Sequence, residues 1–176
     1  MMVYFLRHAS AGDHLINPKR DEKRALDRSG IEQCGYVGRA LAALDAQVDV
    51  VISSPLKRAA QTASLVSNEM GFEGKLHFDD ALRPEASFSE FRGLLEKYAR
   101  HDSIMVVGHN PSLSEFLGQA ISGGGGEASI ELKKGAVAKV EVGRNSATLQ
   151  WCMTPKMLRA LYTAATESSR PKTSRK

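Results

Sequence analysis

"SIMVVGHNPSLSEFLGQAI", residues 103–121, runs from an unbroken apolar stretch through Gly-His-Asn-Pro into a segment of helical composition. Four consecutive apolar residues without polar alternation suit a strand covered on both faces, the pattern of a central parallel strand. Asn110 is placed to cap the helix that follows and Pro111 to open it, because proline has no N–H to leave unpaired in the first turn. The same order occurs twice upstream. "VDVVISS" (residues 48–54) precedes "PLKRAAQTASLVSNEM" (residues 55–70), with Ser54 as the expected cap and Pro55 as the first helical residue. "MVYFLRH" (residues 2–8) leads through a polar loop to a helix predicted from about Ser29 to Leu44, where Ile31, Cys34, Val37, Leu41 and Leu44 recur at helical spacing behind Asp27 as the cap.

The rest of the chain adds smaller pieces. "KLHFDDALRPEASFSEF" (residues 75–91) reads as one short strand and a loop, with a helix near Ser87 to Arg100. After a glycine-rich loop, "SGGGGEAS" (residues 122–129), the segments "AVAKVEV" (136–142) and "ATLQWCM" (147–153) alternate as two strands joined through "GRNS", an antiparallel hairpin for a sheet edge. A last helix is expected near Pro155 to Ala165. The order predicts an α/β fold, a three-layer α/β/α sandwich whose central sheet is mostly parallel with an antiparallel edge. Residues 1–166 form a single domain in this reading, and residues 167–176 form a basic, disordered tail with nothing to bury.

Composition supports one domain. The 176 residues are 42% hydrophobic and 25% charged. The formal net charge is +4, supplied entirely by Arg170, Lys172, Arg175 and Lys176, so the folded body is balanced and lacks the basic face a nucleic-acid partner requires. "MMVYFL" is too short for a signal sequence, and no run of about 18 apolar residues occurs to span a membrane. The expectation is a soluble, cytoplasmic protein that contacts neither nucleic acid nor membrane. Cys34 and Cys152 form no CxxC pair and read as reduced, buried thiols.

In an open α/β sheet, ligands bind at the carboxyl ends of strands where the chain changes direction. Those ends carry Arg7 and His8, then Arg58 in the first turn of its helix, then His109. Each alone suits an ordinary turn or surface position. Together they put four cationic or potentially cationic groups at one sheet edge, with helix N-termini adding backbone donors, and a doubly charged anion such as phosphate is the natural ligand. His8, directly behind its strand, is placed to attack phosphorus if its other ring nitrogen donates to a fixed acceptor. Arg7 and Arg58 would hold the equatorial oxygens. His109 would be a second, protonated imidazole on the same oxygens.

"LRHA" (residues 6–9), "SSPLKRAAQTA" (53–63) and "VVGHNPSL" (106–113) resemble the histidine phosphatase superfamily, also called phosphoglycerate mutase-like, and most of all its compact SixA-type phosphohistidine phosphatases. The resemblance covers nearly the whole folded body. It implies a phosphohistidine intermediate on His8, a phosphate pocket of Arg7, Arg58 and His109, and no metal or organic cofactor. "KRALDRSG" (residues 23–30) is similar to the family's "RPLTxxG" segment, which makes Arg24 a further phosphate ligand. Larger members carry a helical insertion with a proton-donating glutamate between the second and third motifs, but here only fifty residues separate Arg58 from His109. Glu85 is the nearest candidate acid by position.

A phosphoester loses an alkoxide badly without a positioned acid, worth roughly 10²- to 10⁴-fold, whereas phosphohistidine releases an imidazole that solvent can protonate. The reading is therefore a phosphohistidine phosphatase acting on a partner protein. Its rivals are a phosphatase of small phosphoesters and a phosphate- or phosphohistidine-binding module without turnover. A zinc site from His8, His14 and His109 lacks any supporting spacing, and His14, His77 and His101 read as surface residues.

Overall fold

Side-chain alternation along the strands divides the interior into two layers. On β1 (Met2–Arg7), Val3 and Phe5 face one layer while Tyr4 and Leu6 face the other. The computed structural model describes residues 1–123, 128–144 and 146–168. Among them, six strands form one sheet, completed by β2 (Val50–Ser53), β3 (Leu76–Phe78), β4 (Ser103–Gly108), β5 (Val137–Val142) and β6 (Ala147–Met153), in the order β3-β2-β4-β1-β5-β6. The first four in that order are parallel, and β5 and β6 run antiparallel as the predicted hairpin.

The helices cover both faces, as the sandwich reading requires. α2 (Arg28–Ala43), α3 (Lys57–Glu69) and α6 (Pro155–Ser168) bury Cys34, Val37, Leu41, Ala59, Ala63, Val66 and Leu158 on the side of Tyr4 and Leu6. α4 (Phe88–Lys97) and α5 (Ser112–Ser122) bury Phe91, Leu94, Phe116 and Leu117 on the side of Val3 and Phe5. Phe91 and Phe116 stack at 4.8 Å, and Phe5 meets Phe91 at 5.5 Å, so three elements share one aromatic contact. β4 is buried at every residue, as its unbroken apolar run predicts.

Register fixes where the strand ends meet. Arg7 of β1 pairs with Gly108 of β4, and Val107 of β4 pairs with Ser53 of β2. The His8 N–H donates to the Gly108 carbonyl at 3.0 Å, and the Ser54 N–H donates to Val107 at 2.9 Å. The residues that follow β1, β2 and β4 therefore emerge side by side.

Local starts and stops agree with the sequence in part. Asp27 caps α2, its carboxylate accepting from Gly30 N at 2.7 Å, and Ser87 caps α4 in a capping box with Glu90. Two expected caps do not form. α3 begins at Lys57 behind Leu56, and α5 begins at Ser112 behind Pro111, neither with a side-chain cap. Besides local bonds to Leu56 and Ser114, Ser54 and Asn110 hydrogen-bond to residues distant in sequence, His109 and Leu132. The polar loop after β1 also contains a helix that periodicity does not reveal, α1 (Pro18–Glu22), capped by Asn17 with Pro18 in its first turn.

Cys34 is buried, but Cys152 is only partly so, and both are free thiols. Burial pushes the Cys34 thiol up to about 12, although Thr62 partly opposes this. α6 continues to Ser168, two residues into the stretch read as tail, and residues 169–176 lie outside the described part, as do residues 124–127 of the glycine-rich loop. Among the described residues no helix is long and apolar enough to cross a membrane.

The loop behind β1 is held by close backbone approach. A Cβ on Gly30, at the start of α2, would stand 2.0 Å from the Ser10 carbonyl oxygen. Gly30→Ala is expected to cost about 1–3 kcal/mol through overpacking, lowering Tm by several degrees in a chain of this size. An unchanged melting curve would show that this loop yields freely.

Candidate active site

His8 follows β1 and is 6% exposed. Its Nδ1 lies 2.7 Å from the Ala9 carbonyl oxygen, which can only accept, so in the neutral ring Nδ1 carries the proton and Nε2 keeps its lone pair. Ala9 is fixed in turn. Its N–H donates to Thr62 Oγ1 at 3.0 Å, and the Thr62 hydroxyl donates to the Arg58 carbonyl at 2.7 Å, so a threonine inside α3 holds the turn behind His8 against the helix that carries Arg58. Ser10 is tied to Gln33 and Asp27.

His109 stands beside His8, with ring centroids 5.0 Å apart. Its Nε2 lies 2.8 Å from Ser54 Oγ. With the Ser54 hydroxyl donating, the neutral ring carries its proton on Nδ1, a buried atom with no partner among the described residues. The Nε atoms of Arg7 and Arg58 are also buried and unpartnered among the described residues. Native interiors rarely leave donors unsatisfied. With that assignment, three such groups stand around one pair of imidazoles, a donor set suited to an acceptor-rich group.

The arginines are otherwise well anchored. Arg7 donates through Nη1 to the Leu132 carbonyl at 2.7 Å. Arg58, second residue of α3, donates through Nη1 to the backbone oxygen and the Oδ2 of Asp21, at 3.0 and 3.1 Å. Arg24 donates through Nε to Asp21 Oδ1 at 2.7 Å and through Nη1 to the Ala11 and Gly12 carbonyls. The structure thus brings Arg7, His8, Arg58, His109 and Arg24 together. It leaves Glu85 exposed on the loop before α4, without a hydrogen bond or ion pair to another described residue.

Sequence reading missed Asp21, which is 5% exposed and is the one buried carboxylate among the described residues. Burial alone would raise its pKa. Hydrogen bonds from Arg24 and the Leu15 N–H, with the charge of Arg58, outweigh burial and hold the group well below the usual carboxylate range. Its only signal in the sequence is Arg24 three residues later, the spacing of a helical ion pair, in a stretch otherwise dense with charge.

Burial also sets the histidines. Desolvation, with the nearby charges of Arg58, Arg7 and Arg24, lowers His8 to about 3 despite its bond to Ala9. Desolvation together with the charges of His8 and the same arginines lowers His109 to about 2. The expectation of a protonated His109 is therefore corrected for the protein alone: a cation there would stand among three arginines out of water. Among the described residues, no three His, Cys, Asp or Glu side chains are grouped as a metal site would need.

The model of the histidine phosphatase superfamily (branch 1) matches residues 3–102, a span that ends before the "VVGHNPSL" motif. An uncharacterized protein of Picosynechococcus sp. is 31% identical over 146 residues, covering 81% of this chain and 86% of that one. Among solved structures, the protein histidine phosphatase SixA complexed with tungstate matches with a TM-score of 0.77 at 22% identity, over 89% of this chain and 98% of that one. Phosphoglycerate mutase from Bacillus anthracis str. Sterne matches with a TM-score of 0.71 at 14% identity, over 90% and 95%. The chain belongs to the histidine phosphatase superfamily, branch 1, and folds as its phosphoglycerate mutase-like members do. That membership supports a phosphatase.

Two outcomes follow from the charges. Unfolded histidine binds its proton near pH 6.5, whereas His8 and His109 in the native state bind theirs only near 3 and 2. Their contribution to stability is thus intact above about pH 7 and is lost as the pH falls from about 6.5 toward 3, at on the order of 1.4 kcal/mol per pH unit for each. Urea titrations across this range, without phosphate in the buffer, should show that slope, and His8→Asn should remove about half of it, leaving the share of His109. Asp21 acts lower: its depressed pKa gives stability that is present above about pH 4 and lost below. Asp21→Asn breaks a buried pair and should cost about 3 kcal/mol. Added vanadate should restore more of the lost Tm than it adds to wild type, and an unaltered Tm in the variant would show that the arginines need no internal counter-ion.

Proposed function

We propose that the protein is a phosphohistidine phosphatase that removes phosphate from histidine on a partner protein through a covalent intermediate on His8. The observation that carries this reading is the state of Asp21. The one buried carboxylate among the described residues is held ionised by two arginines at the site and has no proton to give. A leaving group that needs no carboxylic acid is then the best match, and an imidazole released from a phosphoramidate is such a group.

In the proposed sequence, His8 Nε2 attacks phosphorus in line as the P–N bond to the substrate imidazole breaks, and that nitrogen is protonated from solvent. Arg7, Arg58 and Arg24, with the Nδ1–H of His109, take the charge that builds on the equatorial oxygens. Water then attacks phosphorus, the P–Nε2 bond breaks, and inorganic phosphate leaves with His8 restored. The bond from Nδ1 to Ala9 serves throughout, fixing the ring so that the attacking lone pair is always on Nε2. The tungstate carried by the SixA neighbour, a tetrahedral oxyanion, supports the same type of ligand here.

Rapid mixing of wild type with a phosphohistidine-bearing protein, stopped in detergent at alkaline pH, should trap a phosphoryl group that is base-stable and acid-labile. His8→Ala should show neither the trapped group nor turnover while keeping its fold. A leaving-group series tests the substrate class: kcat/KM for alkyl phosphates should fall at least a hundredfold below that for phosphoramidates. Equal rates on both, with Glu85→Gln abolishing only the alkyl phosphates, would overturn phosphohistidine in favour of small phosphoesters.

A further inference from the structure

The segment Gly12–Lys23 borders the site, because Asp21 holds Arg58 from it and Arg24, just beyond, grips its start. Its outer side is unusual for a surface loop. Ile16 is fully exposed, at 100%, and its neighbour Leu15 is 40% exposed. Beside them, Lys19, Arg20 and Lys23 are exposed and make no ion pair with a described residue.

The acidic groups nearby are largely engaged. Asp21 is shared by Arg24 and Arg58, and Glu22 pairs with Arg83 at 3.1 Å. Asp13 is the exposed exception, and His14 lies 3.7 Å from Asp21. Nor is Ile16 exposed through slackness. Gly12 N–H is held by Asp27 at 2.8 Å, Leu15 N–H by Asp21 at 2.9 Å, and Arg20 N–H by Asn17 at 3.2 Å. The carboxylate that positions Arg58 thus also fixes the loop that presents Leu15 and Ile16.

We propose that Leu15, Ile16, Lys19, Arg20 and Lys23 form a docking ridge for the protein that carries the phosphohistidine, and that this partner offers an acidic surface with an apolar spot beside its modified residue. Three uncompensated cations steer such a surface, and the isoleucine gives it register. The inference rests on the phosphohistidine reading and extends it from the reacting group to the face around it.

Two synthetic peptides of equal length test it, each with one phosphohistidine, one flanked by glutamate and leucine and the other by lysine, alongside free phosphohistidine. Wild type should favour the acidic peptide about tenfold or more in kcat/KM at low salt, through KM, and the gap should close near 0.5 M salt. A variant combining Lys19→Glu, Arg20→Glu and Lys23→Glu should reverse the preference, and Ile16→Ser should weaken only the acidic, leucine-bearing peptide. Both variants should keep the wild-type rate on free phosphohistidine. Equal use of the two peptides by wild type would overturn the ridge while leaving the phosphatase reading intact. Retention on anionic vesicles that the triple variant loses, with peptide rates unmoved, would overturn it in favour of a membrane. Failure to hydrolyse free phosphohistidine would count against the phosphatase reading alone, since the peptide preference is also read from anisotropy of labelled peptides on His8→Ala protein.

Discussion

Buried positive charge is the constraint around which this molecule is arranged. Arg7, Arg58 and Arg24 converge on two imidazoles at one sheet edge, and their mutual repulsion grows as water is excluded. Asp21 is the internal answer. It accepts from Arg24 and Arg58 at once, with backbone carbonyls taking other guanidinium hydrogens, yet Nε of Arg7 and Arg58 and Nδ1 of His109 have no partner among the described residues. Enough of the cations are satisfied for the fold to hold, and the donors left over are those the proposed function assigns to a dianion.

Burial and the same charges decide protonation. Desolvation first, and then the arginines close to both rings, make a proton costly on His8 and His109, so each ring stays neutral near neutral pH. For His8 neutrality suits the proposed role, because a protonated ring has no lone pair for phosphorus. For His109 it means that the proposed anion would meet a neutral ring rather than a fourth full charge. Hydrogen bonding sorts the two rings into these roles: His8 donates to Ala9 through Nδ1, and His109 is engaged with Ser54 through Nε2.

Much of this was legible in the chain. The strand-turn-helix order at residues 2–8, 48–54 and 103–109 located the three strand ends, and strand register then made them neighbours. Arg7, His8, Arg58 and His109 sit at those ends and could be read directly, while Arg24 was legible only through its likeness to a family segment. Asp21 was not legible. In "PKRDEKR" an aspartate looks like one more solvated charge, and its partner Arg58 is 37 residues away. α1, five residues long, is too short to display a period, although Asn17 and Pro18 mark its start.

Ser54 and Asn110 show where local rules stop. Both have the right chemistry and position for a helix cap, and both are claimed by groups that folding brings near: His109, 55 residues from Ser54, and the Leu132 carbonyl, 22 residues from Asn110. Sequence alone determined the layers, because apolar periodicity is a local property that decides which face each element buries. Tertiary structure alone decided which charges are paired, which histidine nitrogen carries the proton, and which apolar residues stay exposed beside the site. Those depend on distances of a few ångströms between residues far apart in the chain, and electrostatic and hydrogen-bond energies change steeply over such distances.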